Sequence, residues 1–172
     1  NFMETELLRL NPFSFPENVH VYEHMDRLVE IFNVCWPMYA AMPAVLKDAI
    51  ERAYVDAGWD LRKSRNRYSA RLFPTFVDVL QQIDAVMNES QYSADSKGDY
   101  KGALCTRLRS LTNGINGMIF SADELDSADL FDRNVIVDLS RVGSTETKAL
   151  IMGLLVMKLQ EYRMSQGGMN ET

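Results

Sequence analysis

Asn134-Val135-Ile136-Val137-Asp138-Leu139-Ser140-Arg141-Val142-Gly143 leads straight into Ser144 and a long apolar run that ends near Ser165. Residues 134–140 are a β-branched run of strand length, and their unbroken apolar character suits burial on both faces of a parallel sheet. Arg141-Val142-Gly143 turns the chain, and Ser144 or Thr145 caps a helix over 145–165. That helix is apolar nearly all round, through Leu150, Ile151, Met152, Leu154, Leu155 and Val156. A helix of that kind is either buried or separated from its neighbours. One strand makes no stable sheet. Its partners must come from Met118-Ile119-Phe120, from the N-terminus, from another copy, or from sequence beyond these 172 residues.

Outward from this unit toward the N-terminus, the period becomes helical. Met25, Leu28, Val29, Phe32, Cys35 and Trp36 follow the i, i+3, i+4, i+7 spacing of a core-facing stripe, which Pro37 ends. Pro43 suits the first turn of a second helix, whose stripe runs from Leu46 to Ala57, with Gly58 as its stop. Thr75 and Asp78 have capping-box spacing at the head of a third helix. A polar stretch over 89–98 precedes a fourth helix carrying Leu104, Leu108, Leu111 and Ile115, and Asn113-Gly114 and Asn116-Gly117 close it. The two prolines of 11–16 mark an ordered loop anchored by Phe13 and Phe15. Residues 121–132 are acidic and suit a loop or a short helix. The expected architecture is mainly α. A loop over 1–18 precedes a helical subdomain over 19–117 and a strand–turn–helix unit over 118–172.

Composition excludes several classes. The chain has 47% apolar and 24% charged residues, with 14 glycines and prolines in all, so it is neither disordered nor fibrous. Cys35 and Cys105 are 70 positions apart and give neither zinc spacing nor a CxxC pair. Both are expected as buried, inert thiols. No apolar run reaches about 18 residues, and no secretion signal is evident, which fits a reduced cytoplasmic setting. The chain opens Asn1-Phe2-Met3 and closes Gly167-Gly168-Met169-Asn170-Glu171-Thr172 like a linker, as a piece of a longer protein would.

Four constellations bear on chemistry. His20-Val21-Tyr22-Glu23-His24 is a literal HxxEH string, which on a helix would set two histidines on one face for zinc with Glu23 as base. The ordinary alternative is a helix N-terminus. Val135-Ile136-Val137-Asp138 matches the hhhhD core of a Walker B strand, but Leu139 stands where the glutamate belongs. Gly143-Ser144-Thr145-Glu146-Thr147-Lys148 opens a helix after the expected strand, a geometry that favours anions, yet no GxxxxGK[ST] occurs in the chain. Residues 62–71 carry Arg62, Lys63, Arg65, Arg67 and Arg71 with no acid, beside Trp59 and Tyr68. The net charge is −6, so this +5 leaves −11 elsewhere. Such segregation is the footprint of phosphate contact. The plain alternative is a solvated loop paired with acidic neighbours.

The order of these segments resembles the HerA-like P-loop ATPases of the HerA/FtsK group. The resemblance is carried by Asn11-Pro12-Phe13 with the helix of His24, Leu28 and Phe32, and by Tyr54-Val55-Asp56-Ala57-Gly58-Trp59. Phe73-Pro74-Thr75, Leu104-Cys105-Thr106-Arg107-Leu108 and Leu111-Thr112-Asn113-Gly114 belong to it too. Its closest part is 134–143 with Thr147-Lys148-Ala149-Leu150 and the long helix. It covers most of the chain, and its specificity lies in the order of the segments. The resemblance implies a fragment between the Walker A and Walker B motifs of a hexameric, RecA-like motor that moves DNA or protein. The helical part would be an insertion, and the strand–turn–long-helix unit a slice of the RecA-like α/β core. It implies ATP and magnesium for the full-length protein, neither held by the fragment, which would be inactive alone. The implied partners are the remainder of the ATPase domain and translocated DNA. Asp138, Ser140 and Arg141 would then lie near the edge of the sheet where nucleotide binds. No catalytic residue carries over. Two readings stand beside it: a non-catalytic helical module contacting nucleic acid through Arg62, Lys63, Arg65 and Arg67, and an HxxEH zinc hydrolase.

Overall fold

The computed structural model describes residues 6–167, so the opening 1–5 and the linker-like 168–172 lie outside the described residues. Helices dominate, as the stripes require. The element order is α1 (Val21–Cys35), α2 (Met42–Asp56), β1 (Trp59–Asp60), β2 (Arg65–Asn66), α3 (Phe76–Glu89), α4 (Ala94–Ser110), α5 (Gly114–Ile119), α6 (Ser127–Phe131) and α7 (Thr145–Gly167).

Local chemistry sets most boundaries. Helix α1 stops where Trp36 turns extended ahead of Pro37, and Pro43 occupies the first turn of α2. Gly58 takes φ +103° just past α2. At the head of α3 the Thr75 amide donates to Asp78 Oδ2 at 2.7 Å. Ser144 Oγ accepts from the Thr147 amide at 3.0 Å and caps α7.

One continuous core joins these elements. Helix α2 packs on α3, α3 on α4, and α7 on α1. Phe13, Phe32, Tyr54, Ile83, Leu104 and Leu150 are fully buried within it, each worth about 1.5–3 kcal/mol of burial for the aliphatic and Phe side chains. The loop before α1 is aromatic-anchored as expected, with Phe13 edge-on to Phe76 and Tyr54, and with the Tyr54 hydroxyl donating to the Phe13 carbonyl. On α7 the buried positions are Thr147, Leu150, Ile151, Leu154, Met157, Lys158 and Glu161. Met152, Val156 and Leu159 face outward and are exposed.

The structure differs from the sequence reading in four places. Residues 134–139 form no strand and make no ladder bond among the described residues. The cause is that both candidate partners within the chain are already engaged. Met118 and Ile119 belong to α5, while Phe120 forms a parallel bridge with Leu10. The Leu10 amide donates to the Ile119 carbonyl at 2.8 Å, and Ser121 donates back to Leu10 at 3.2 Å. Helix α4 starts at Ala94, inside the stretch read as a polar linker, because Ser93 caps it and tertiary packing outweighs its glycines. Asn116-Gly117 sits within α5 rather than in a turn. The run 62–71 is not a plain loop but contains the second strand of a hairpin, with Trp59 opposite Asn66 and Asp60 opposite Arg65.

Candidate functional site

The candidate residues fall at opposite ends of α1, which at 1.5 Å per residue spans about 22 Å. Near its C-terminus lie Trp36 and Cys35, close to Glu146 at the start of α7. Arg107 bonds Glu146 at 3.3 Å and stands over the Trp36 ring at 5.6 Å. Burial, aided by the Glu146 charge, pushes the half-buried Cys35 thiol up, and burial does the same for Cys105. Neither is a poised nucleophile.

The turn that feeds α7 holds Asp138, Ser140 and Arg141, all exposed. Asp138 Oδ1 accepts from the Ser140 amide at 2.8 Å. That bond, with the Ser140 side chain and the Arg141 charge, holds the Asp138 carboxyl below its ordinary range. The bond also shapes the turn that reverses the chain into α7. Arg141 makes no ion pair with Asp138 among the described residues. A nucleotide phosphate would find here only the cap of α7 and one arginine, since the chain holds no phosphate loop.

At the N-terminus of α1 stands the basic hairpin, fixed at its base and at its tip. At the base the Asn66 amide nitrogen donates to the Ala57 carbonyl at 2.9 Å and to Leu72 at 3.1 Å, while its oxygen accepts from the Tyr68 amide at 2.8 Å. Trp59 Nε1 donates to Leu72 at 2.7 Å, and its ring stacks on Phe73. At the tip, Lys63 N donates to Asp60 Oδ1 at 3.0 Å, and Ser64 Oγ accepts from the Val21 amide at 2.9 Å. His20 bridges the two elements: Nδ1 accepts from the Tyr22 amide at 3.1 Å and Nε2 donates to the Arg62 carbonyl at 3.2 Å. Arg62, Lys63, Arg65, Arg67 and Arg71 are all exposed. The structure thus brings the basic candidates together on one ribbon and keeps them apart from Asp138, Ser140 and Arg141.

Sequence reasoning missed a buried polar cluster that joins the N-terminal loop, α1 and α7. His24 Nδ1 lies 2.8 Å from both oxygens of Glu161, and His24 Nε2 lies 2.9 Å from the Pro12 carbonyl. Arg27 donates to Glu161 at 3.0 Å. Lys158 Nζ donates to Ser14 Oγ at 2.7 Å and to its carbonyl at 3.1 Å, with Glu124 at 3.4 Å. Burial pulls the Lys158 ammonium below its ordinary range, against the opposing pull of Glu124 and Glu161. One signal was available: 154, 158 and 161 share a helical face, so two charges stand on the buried stripe of α7.

The same contacts dispose of the HxxEH geometry. His20 is the N-cap, with extended backbone, and its ring meets the Tyr22 amide and the Arg62 carbonyl, whereas the His24 ring meets Glu161 and the Pro12 carbonyl. Every ring nitrogen already has a protein partner, and Glu23 pairs with Arg27 at 3.3 Å. Among the described residues no group of three His, Cys, Asp or Glu side chains is set to hold a metal, and no helix is long and apolar enough to cross a membrane.

Comparison of the chain with protein-family models, with curated proteins and with solved structures finds no match.

Proposed function

We propose that this chain is the part of an HerA-like P-loop ATPase between the Walker A and Walker B motifs, and that it hydrolyses no ATP by itself. The observation that carries the reading is the run 134–139, which has no ladder partner among the described residues, beside the outward apolar face of α7. Val135, Ile136 and Val137 are exposed, with Ile136 81% accessible, and the helix that follows them exposes Met152, Val156 and Leu159. A β-branched run of this kind is the sequence of a strand buried on both faces. Paired with a helix apolar on its outer side, it is what a slice of an open α/β sheet presents when the remaining strands are elsewhere. In this reading those strands, the phosphate loop, and the glutamate that activates water are supplied by the remainder of the ATPase domain, and the full protein is a hexamer that moves DNA or protein. Asp138, Ser140 and Arg141 then border the nucleotide, and α1–α6 form an insertion over the core.

The experiment compares the 172-residue chain with a polypeptide extended through the flanking coding sequence. The extended polypeptide is expected to carry GxxxxGK[ST] upstream and hhhhDE downstream, to hydrolyse ATP, and to protect the amides of 134–139 from hydrogen exchange. Those amides are expected to exchange rapidly in the shorter chain. Turnover by the 172-residue chain that is abolished by Asp138→Ala or Arg141→Ala would overturn the proposal, as would flanks without either motif.

A further inference from the structure

The basic hairpin has no role in the reading above, and its geometry stands independently of it. Eight of the thirteen lysines and arginines outside the hairpin have a carboxylate within 4.0 Å. None of Arg62, Lys63, Arg65, Arg67 and Arg71 has one among the described residues. Among the described residues the five cations thus stay outside the ion pairs that engage most of the chain's other lysines and arginines. In a protein with net −6, five cations within ten residues repel one another; the hairpin's own acid, Asp60, stands opposite Arg65 and accepts from the Lys63 amide, one carboxylate against five cations. The cluster is also held rigidly, by Asn66 and Trp59 at its base and by His20 and Ser64 at its tip.

Three features name the anion. Four of the five cations are arginines, whose planar fork matches phosphate oxygens. Arg65 and Arg67 are two residues apart on a strand and its continuation, about 6.6 Å at strand rise, so successive phosphates can be met in turn. Tyr68 is 67% exposed on the same ribbon, with the Arg67 guanidinium 4.8 Å from its ring centre. Its ring packs against Gly58, where a Cβ would stand 2.6 Å away, and so keeps its orientation in water. An exposed, oriented aromatic ring among arginines is a stacking platform for an unpaired base. A carboxylate or a headgroup phosphate engages the arginines alone, whereas a nucleotide offers the ring a planar partner beside its phosphate.

We infer that the 59–71 hairpin binds single-stranded nucleic acid, its arginines on the phosphates and Tyr68 stacked on a base. The −11 carried by the rest of the chain confines the strand to this ribbon.

The test is fluorescence anisotropy with a labelled 20-mer of thymidine, against a duplex of equal length and vesicles containing phosphatidylserine. Four phosphate contacts give a slope of log K on log salt near −2.8, roughly a 50-fold loss between 50 and 200 mM salt. Arg65→Gln with Arg67→Gln is expected to reduce that slope to about −1.4 and to weaken binding. Tyr68→Ala is expected to weaken binding of the single strand at least about fivefold and to leave the slope unchanged. All these side chains are exposed, so melting should stay within a degree or two and keep the comparison interpretable. Failure to bind the 20-mer at 50 mM salt would overturn the inference. So would binding indifferent to salt and to these substitutions, tighter binding of the duplex, or tighter binding of the vesicles. None of these outcomes bears on ATP hydrolysis by the extended polypeptide, so the two proposals fail separately.

Discussion

At the scale of single residues, Lys158 is the side chain whose environment most opposes its charge. Its ammonium is buried and bonded to Ser14, with Glu124 as its nearest carboxylate. Replacing a buried ion by an apolar side chain of similar size costs little when its partner can return to water. Glu124 is 30% exposed and can do so, but the buried Ser14 carbonyl cannot. Lys158→Met is therefore expected to cost about 1–3 kcal/mol at pH 7, the usual cost of an orphaned buried acceptor. The pH dependence has a definite sign. The folded-state value lies below the ordinary 10.5, so just under that pH the unfolded chain binds more protons than the folded one. Stability from this group then rises with pH. The deficit of Lys158→Met relative to the parent should widen as pH approaches 10.5. Tyr54, whose phenol burial pushes well up, contributes equally to both proteins and cancels. Urea midpoints at pH 7, 9 and 10 measure the gap, and a gap that narrows would refute the assignment of Lys158 as a destabilised ammonium.

At the scale of elements, legibility followed the presence of a period or a stop signal. Helices α1, α2, α3 and α7 announced themselves through stripes ended or opened by Pro37, Pro43, Gly58, Thr75 and Ser144. The hairpin did not, because strands of two residues have no alternation to detect. Helix α4 was cut short in the reading because Gly98 and Gly102 dilute its stripe. The His24–Glu161 pair joins residues 137 positions apart, and no local pattern reports a contact of that range. Of the candidate residues, the basic run was visible as charge, but its anchoring through His20 and Asn66 was not. That anchoring gives Gly58 its weight. Its φ of +103° is strained for any other residue, and an added Cβ would stand 2.6 Å from Tyr68 Cδ2 and 2.8 Å from Asn66 Oδ1. Gly58→Ala is expected to cost about 1–3 kcal/mol, a fall of roughly 2–10 °C in Tm. It should also displace the Tyr68 ring, seen as a change in its NMR ring-proton shifts. Unchanged melting together with an unmoved ring would show that the hairpin base is looser than these distances require.

At the scale of the whole molecule, two surfaces oppose each other in chemistry. The hairpin end of α1 concentrates positive charge, while the 134–167 unit exposes apolar side chains on both of its parts. The run 134–139 is β-branched yet forms no strand, while Leu10 and Phe120 bridge to each other. Amides that find no partner among the described residues, beside exposed Val135, Ile136 and Val137, are a template for pairing with another chain. The isolated protein is therefore expected to self-associate weakly at high concentration through this unit. Its net charge of −6 gives only modest opposition, further screened by salt. Ile136→Lys separates the causes. At 81% exposure the substitution should change the stability of the 172-residue chain by no more than about 0.5 kcal/mol. It should nevertheless abolish the concentration dependence of the sedimentation coefficient, because a charge on an open edge blocks strand pairing. Under the proposed function the same lysine in the extended polypeptide would lie inside a sheet and should unfold it. Sedimentation of the parent chain that is already independent of concentration would show that the exposed run is passive. A fully active extended Ile136→Lys protein would show that the run is not a core strand.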